Sequence, residues 1–472
     1  MMKRQLRRLY RVALGCTVVL AAIADWLMRH RPGAPRPLPV RRILVLRFGL
    51  LGDGTALLSP ALQRLKELFP ASEVHVLATP LQRPLLEALP FVDVVIPWTA
   101  GDLSEPRQAL RPGGWRAAAG AIAALRRQRY DLALACYGPL TSAVALCSGV
   151  PRRVGFAAEA FPLALTTRLP GGRYSRGWHE ADYNVALADA AGHRWGEEAQ
   201  QSSLEGAAAD ATPHGPPMRL VVEDSARRSV DALLAGCAAP GASPSGPWVV
   251  LLPGATNGQA KRWPISHWTE LTKCLVASGT GVVLAGGPED RPLAQAIQRR
   301  ARTQPSDGTP RRTGASGSKP PDAAAGGAEA GSTGPRLKIS SDAGAGHLRP
   351  GRGGADGVSA AGVIDLVGRT TLPQLLALLD QASVVVSGDS GPLHLAIALG
   401  RPAVAIYGPT DVRQSGPYRA TNVTVLRHEL PCSPCYSLDR VADCPLGHTL
   451  CQRLVTPPRV YNAVQDRLMA QS

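Results

Sequence analysis

The feature that most constrains this chain is an alternation of short apolar runs with helix-length amphipathic runs, written out twice. Arg42-Ile43-Leu44-Val45-Leu46-Arg47 reads as a buried strand. A glycine-rich turn follows, Gly49-Leu50-Leu51-Gly52-Asp53-Gly54, and apolar residues then recur at helical spacing from Thr55 to Phe69, where Pro70 stops them. Strand, helix and strand come next at 73–78, 81–89 and 92–96, then a helix over 115–129 and a strand over 130–135. After a polar interval the pattern restarts. It runs as strand 247–252, helix 265–277 with Ser266 as its cap, strand then turn over 281–287, helix 372–380, strand 383–387, helix 392–399 and strand 402–408. Strands that alternate with helices build a parallel sheet covered on both faces. The expected fold class is therefore α/β, with two Rossmann-like doubly wound domains facing a cleft, and ligands at the carboxyl ends of the strands.

Composition divides the chain further. Residues 1–40 form a basic and apolar leader, 41–198 the first Rossmann-like domain, 199–246 a linker region, and 247–465 the second, which ends in a Cys-rich tail over 432–451. Within the second domain, 303–359 holds only four large aliphatics (Leu337, Ile339, Leu348, Val358) and no aromatic. Such text cannot offset the entropy of ordering and reads as a disordered insertion. The βαβ unit it interrupts should still close, because loop entropy grows slowly with length.

The net charge is +16, and residues 1–47 hold eleven Lys/Arg against one acid, Asp25. A nucleic-acid-binding domain carries its basic excess on the folded body; here most of it lies on a terminal arm, so no nucleic-acid partner is expected. The arm's apolar run, Val12 to Ala24, falls short of the roughly 20 residues a membrane-spanning helix needs. With basic residues at both ends it suits a helix lying on an anionic lipid surface, against the competing reading of a leader with only a weak helix. The expected location is cytoplasmic, peripheral to or anchored at the inner membrane. Removing residues 1–38 is expected to release the protein from membranes and leave soluble activity. Cys16, Cys136, Cys147, Cys237 and Cys274 are scattered through apolar text, as reduced buried thiols are.

Three places carry chemistry. The strand ending at Ser387 runs into Gly388-Asp389-Ser390-Gly391 and a helix with Pro392 in its first turn, which aims free N–H groups and the positive helix end at one point. Ser390 adds a hydroxyl. An ordinary turn between strand and helix has the same spacing, and spacing does not separate the two. Leu252-Pro253-Gly254-Ala255-Thr256 with Lys261-Arg262-Trp263-Pro264 follows the first strand of the same half and overhangs the same cleft. Lys261 and Arg262 there can neutralise a diphosphate leaving group, or be a solvated basic turn. No Asp-x-Asp stands where it would chelate a metal against a diphosphate, so metal-independent chemistry is expected. Asp53 is the only acid of the first strand-to-helix turn; it suits a general base across the cleft, or simply caps the next helix.

Taken together, the Gly52-Asp53 turn, Pro253-Gly254 with Lys261-Arg262-Trp263-Pro264, and Gly388-Asp389-Ser390-Gly391-Pro392-Leu393-His394 occur in the order seen in glycosyltransferase family 9, which the chain resembles over roughly 41–465. The tail Cys432-Ser433-Pro434-Cys435, Cys444-Pro445-Leu446-Gly447-His448 and Cys451 is similar to that of the heptosyltransferase II branch. The resemblance implies a GT-B fold and an inverting, metal-independent transfer of heptose from ADP-heptose to a lipid-linked lipopolysaccharide core sugar, with no cofactor required. It implies that Asp53 is the base and that Lys261 stabilises the departing ADP. Asp389, Ser390 and Gly391 would hold the diphosphate and sugar, His394 would line the site, and Gly286, Gly287 and Glu289 would lie near the nucleoside. The insertion 303–359, the basic leader and Gly49-Leu50-Leu51 depart from the family's pattern, which leaves sugar and acceptor open.

Two alternatives stand beside this: a nucleotide-sugar epimerase or hydrolase of the same fold, and a non-catalytic sugar-nucleotide binder. Separately, Cys432, Cys435, Cys444 and Cys451 have a spacing compatible with a structural zinc site, with His448 beside them, or are structural cysteines that fold a short tail.

Overall fold

The computed structural model describes residues 22, 23, 25, 39–48, 55–100, 112–172, 175–196, 214–237, 247–255, 258–302, 363–436 and 443–471. Asp53, Thr256, most of the leader and the 303–359 segment lie outside the described residues.

In the first half the strands are β1 (Arg42–Leu46), β2 (Glu73–Ala78), β3 (Val94–Pro97), β4 (Leu132–Ala135), β5 (Arg152–Phe156) and β6 (Thr167–Leu169). The helices are α1 (Ser59–Leu68), α2 (Arg83–Glu87), α3 (Pro112–Gln128), α4 (Pro139–Cys147) and α5 (Glu180–Trp195). After α6 (Asp224–Cys237) the second half runs through β7 (Trp248–Leu252), α7 (Ile265–Ala277), β8 (Gly281–Leu284), α8 (Arg291–Arg302), β9 (Val363–Asp365), α9 (Leu372–Gln381), β10 (Val384–Gly388), α10 (Gly391–Ala398), β11 (Ala403–Tyr407), α11 (Val412–Ser415), β12 (Val423–Arg427), α12 (Leu450–Arg453) and α13 (Pro457–Met469).

Every strand pairing is parallel. The sheet orders are β3-β2-β1-β4-β5-β6 and β9-β8-β7-β10-β11-β12, the same winding used twice. In each, the order reverses beside the first strand of the half, between β1 and β4 and between β7 and β10, and a crevice opens outside the carboxyl ends there. Central strands are buried along their length: Ile43, Leu44, Val384, Val385 and Val386 are fully buried. Each such side chain contributes about 1.5–3 kcal/mol relative to exposure, which suits continuous apolar strands with helices on both faces.

Local chemistry sets the helix starts. Thr371 caps α9 in a box with Gln374, whereas α7 begins after Pro264 with no side-chain cap, so Ser266 sits inside the helix rather than at its cap. Helix α6, which falls in the interval read as linker, packs on α9 of the second half. Arg227 bonds Asp380 at 2.8 Å and Gln374 bonds Ser229 at 2.7 Å.

One finding bears on the leader. Asp25 accepts from Arg153 at 2.8 Å, and the Arg153 side chain is 1% exposed. Its guanidinium also bonds the carbonyls of Ala164 and Val150, while Ala22 packs on Ala143, Leu146 and Ala164. The leader's only acid thus completes a buried ion pair of the first half, and residues 22 and 25 are held against that half. Among the described residues no helix is long and apolar enough to cross a membrane.

Candidate active site

The register of β7 and β10 builds one side of the site. Ser387 lies opposite Leu252, so Asp389 leaves its strand beside Pro253 and Gly254. A Cβ on Gly254 would overlap the Asp290 carboxylate, which would have to leave its place against the Gly287 N–H. Gly286, Gly287 and Glu289 leave the neighbouring β8. Asp290 accepts from Gly287 N at 3.1 Å; burial, and then the Glu289 charge, push its carboxyl up, with Arg262 opposing. Glu289 itself is exposed.

Trp263 explains how Lys261 and Arg262 are aimed. Its ring is buried, meets Trp268 edge-on with centroids 5.0 Å apart, and donates to Val455 O at 2.8 Å. Anchored there, the segment presents Lys261 to the strand ends. Lys261 Nζ lies 2.7 Å from Asp389 Oδ2, with side chains 13% and 6% exposed. The same ammonium sits 4.1 Å from the centroid of the Tyr436 ring. The Lys261 carbonyl accepts from Gln452 Nε2 at 3.1 Å.

Asp389 is buried, and burial alone would raise its carboxyl. His394 and the Lys261 ammonium outweigh that and hold it at about 2. His394, one turn into α10, presents Nε2 to the other carboxylate oxygen at 3.8 Å. Ser390 stands at the N-cap of α10 without capping it; its hydroxyl bonds Ser387 Oγ at 2.8 Å. With no acid in the first turn and Pro392 there, the helix start remains able to receive an anion.

Opposite lies the end of β1. Leu46 pairs with Ala135, which brings Arg47 level with the residues after β4, and its guanidinium lies 5.2 Å from the Tyr137 ring. Arg47 Nη2 bonds Glu180 Oε1 at 2.8 Å, both side chains almost fully buried. Asp53 follows Arg47 by six positions in the sequence and lies outside the described residues. Beside Glu180, His179 caps α5 by accepting from Ala181 N at 3.1 Å, and its Nε2 bonds Gly416 O of the second half at 3.0 Å. Tyr418 donates to Asp182 at 2.6 Å, so two polar links join the halves here.

The structure therefore places Gly254, Lys261, Arg262, Asp389, Ser390, Gly391 and His394 at the ends of the adjacent β7 and β10, and Gly286, Gly287 and Glu289 at the end of β8 next to them. Asp53 and Thr256 lie outside the described residues. Sequence reasoning missed Arg47, Tyr137, Glu180, His179, Asp290, Tyr436 and Gln452. The one local signal among them was Arg47, a charge ending an apolar run. In the tail, Cys432, Cys435, Cys444 and Cys451 are free thiols, and among the described residues no group of three or more His, Cys, Asp or Glu is arranged to hold a metal. Of the two readings that the spacing left open, structural zinc or cysteines that fold a short tail, the first finds no ligand set among the described residues. The thiols differ in character. Backbone N–H groups, that of Thr449 foremost, pull Cys444 down, whereas burial and the neighbouring thiols push Cys451 up to about 11.

Two Rossmann halves of identical winding that face one crevice are the GT-B architecture. The chain belongs to glycosyltransferase family 9 (heptosyltransferase), whose profile matches residues 120–307 and 355–444. It is 26% identical over 375 residues to lipopolysaccharide heptosyltransferase 2 of Escherichia coli K12, covering 78% of this chain and 83% of that protein. The solved E. coli ADP-heptose lps heptosyltransferase II superposes with a TM-score of 0.61 at 21% identity, covering 91% of this chain and 99% of that one. E. coli heptosyltransferase WaaC with ADP-2-deoxy-2-fluoro heptose gives 0.53 at 18% identity, covering 90% and 99%.

Proposed function

We propose that this glycosyltransferase moves heptose from ADP-heptose to a lipopolysaccharide core acceptor, with inversion and without a metal. Asp53 takes the proton of the acceptor hydroxyl, which attacks the anomeric carbon as the bond to ADP breaks. Lys261 neutralises the charge that builds on the diphosphate, and the start of α10 with Ser390 and Gly391 receives it. Arg262 adds charge from the β7 side, and Gly286, Gly287 and Glu289 border the nucleoside.

The observation that carries this reading is the buried Lys261–Asp389 pair beside an uncapped helix start. Asp389 fixes the lysine, so the site has its dipoles and cation arranged before the donor arrives. The basic leader, tied to the first half through Asp25 and Arg153, brings the enzyme to the anionic cytoplasmic face of the inner membrane. This division of labour assigns residues 41–198 to the acceptor and 247–465 to the donor.

Incubation with ADP-heptose and EDTA, with and without a lipopolysaccharide core acceptor, tests the reading. Acceptor-dependent ADP release and a product of inverted anomeric configuration are expected. ADP release at the same rate without acceptor would replace transfer with hydrolysis or epimerisation, and a strict Mg²⁺ requirement would remove the metal-free mechanism.

A further inference from the structure

The cysteine-bearing tail is far from Lys261 in sequence, yet it supplies two of the contacts that fix that residue. Cys435 is followed by Tyr436, whose ring lies under the Lys261 ammonium at 4.1 Å. Cys451 is followed by Gln452, whose amide donates to the Lys261 carbonyl at 3.1 Å. Head and backbone of one lysine are therefore held from the same tail.

Both contacts are built into the fold. Gln452 is 1% exposed, and its amide rests against Gly408, where a Cβ would collide with it. Its Oε1 has no hydrogen-bond partner among the described residues, so what the buried amide gains in polar bonding is its link to the lysine carbonyl. Burying an amide is costly unless it is bonded, so this side chain is poorly explained as filling. Tyr436 is placed by its own backbone, with the N–H groups of Cys435 and Tyr436 both donating to Pro409 O at 2.9 Å. That carbonyl lies just beyond β11, the strand next to β10 and its Asp389. Three polar constraints thus meet at Lys261: the carboxylate of Asp389, the face of an aromatic ring, and an amide on its main chain.

We infer that Tyr436 and Gln452 are positioning residues for Lys261, holding its ammonium where the diphosphate leaves. The inference rests on the role given to Lys261 under Proposed function. The ring face favours a cation over a neutral group and limits where the long side chain can swing. The amide fixes the carbonyl from which that side chain projects, so a small displacement of Lys261 relative to the leaving group costs rate.

The test is a double-mutant cycle in the full-length protein, measuring transfer from ADP-heptose to lipopolysaccharide core, the affinity for ADP, and thermal stability. Tyr436→Leu is expected to lower kcat roughly ten-fold, between the exposed and the desolvated values of a cation–π contact, and Gln452→Ala, which loses a hydrogen bond, by roughly the same factor, each with a smaller change in KM for ADP-heptose. Tyr436→Phe should recover most of what Tyr436→Leu loses, since it restores the ring. In a Lys261→Gln background, neither Tyr436→Leu nor Gln452→Ala should lower kcat further. Losses that multiply in that background would mean that the two side chains act independently of Lys261, and would overturn the inference. Should Gln452→Ala fold poorly, Tyr436→Leu on its half-buried loop decides. Wild-type kcat in Tyr436→Leu and Gln452→Ala together with a large loss in Lys261→Gln would remove this inference alone. Wild-type kcat in Lys261→Gln would remove the role assigned to the lysine as well.

Discussion

Lys261 and Asp389 meet at 2.7 Å although they are 128 positions apart: Asp389 follows β10 directly, and Lys261 ends a short 3-10 turn in the segment after β7, the strand next to β10. Parallel pairing of β7 with β10 makes the two chain exits coincide, and the buried Trp263 holds the segment that carries Lys261 over them.

The pair has a stability consequence. Lys261→Ala leaves the Asp389 carboxylate buried without its ammonium, a loss of about 3 kcal/mol for a broken buried pair. Asp389 is held at about 2 against roughly 3.9 in an unfolded chain. Its contribution is present above pH ~4 and is lost as the pH falls toward ~2. Urea titrations at pH 7 should show the loss, and acid unfolding of the variant should begin at higher pH than in the wild type.

Asp53→Asn is expected to reduce transfer by about 10²–10⁴, the usual range for removing a general base, while ADP-heptose still binds as in the wild type. Single-turnover kinetics beside a donor-binding isotherm separate the two. Full turnover in this variant would leave Asp53 as a helix cap.

Asp25→Ala should cost about 3–5 kcal/mol, because it strands the Arg153 guanidinium in the interior. Burial already lowers that group to about 10. Deletion of residues 1–38 should do at least as much, contrary to the sequence-based expectation of a dispensable leader. Denaturation midpoints of both variants check this; an unchanged midpoint in each would show the ion pair to be unimportant.

His179 gives the enzyme a pH-sensitive joint. Its Nδ1 accepts from Ala181 N, so the proton sits on Nε2 and is donated to Gly416 O. Burial, opposed by the Gly416 bond and reinforced by the neighbouring His394, holds this neutral ring down at about 4. An unfolded histidine titrates near 6.5 and so takes up its proton first, and stability should fall by about 2 kcal/mol between pH 7 and pH 5. His179→Gln should flatten that part of the stability–pH curve, measured by denaturant unfolding at each pH.

How much of this was legible in the sequence depends on the range of the physics involved. The strands β1, β7, β10 and β11 could be read because being buried on both faces makes a strand continuously apolar. The Gly388–His394 turn could be read because its chemistry is local. Strand β5 could not: it opens with Arg152 and Arg153, and Arg153 is interior only because Asp25, Ala164 and Val150 come to it from elsewhere. Helix α5 hides for a similar reason, since Asp182 and Asn184 look like surface residues until Tyr418 and the Leu57 carbonyl are placed against them. The same holds in the site. Asp389, Lys261 and His394 announce themselves in motifs, whereas Tyr436, Gln452 and Glu180 gain their roles from partners more than a hundred residues away.

The edge position of β9 bears on how this chain tolerates its long Gly- and Ala-rich segment. That segment leaves from the end of α8 and returns at the start of β9, the last strand of its sheet. Helix-to-strand connections in such a sheet lie at the amino ends of the strands, and the chemistry lies at the carboxyl ends. Its two attachment points are therefore on the side of the domain away from the crevice, and at its margin. Residues 303–362 therefore mark the place for grafting a fluorophore, an affinity handle or a protease site.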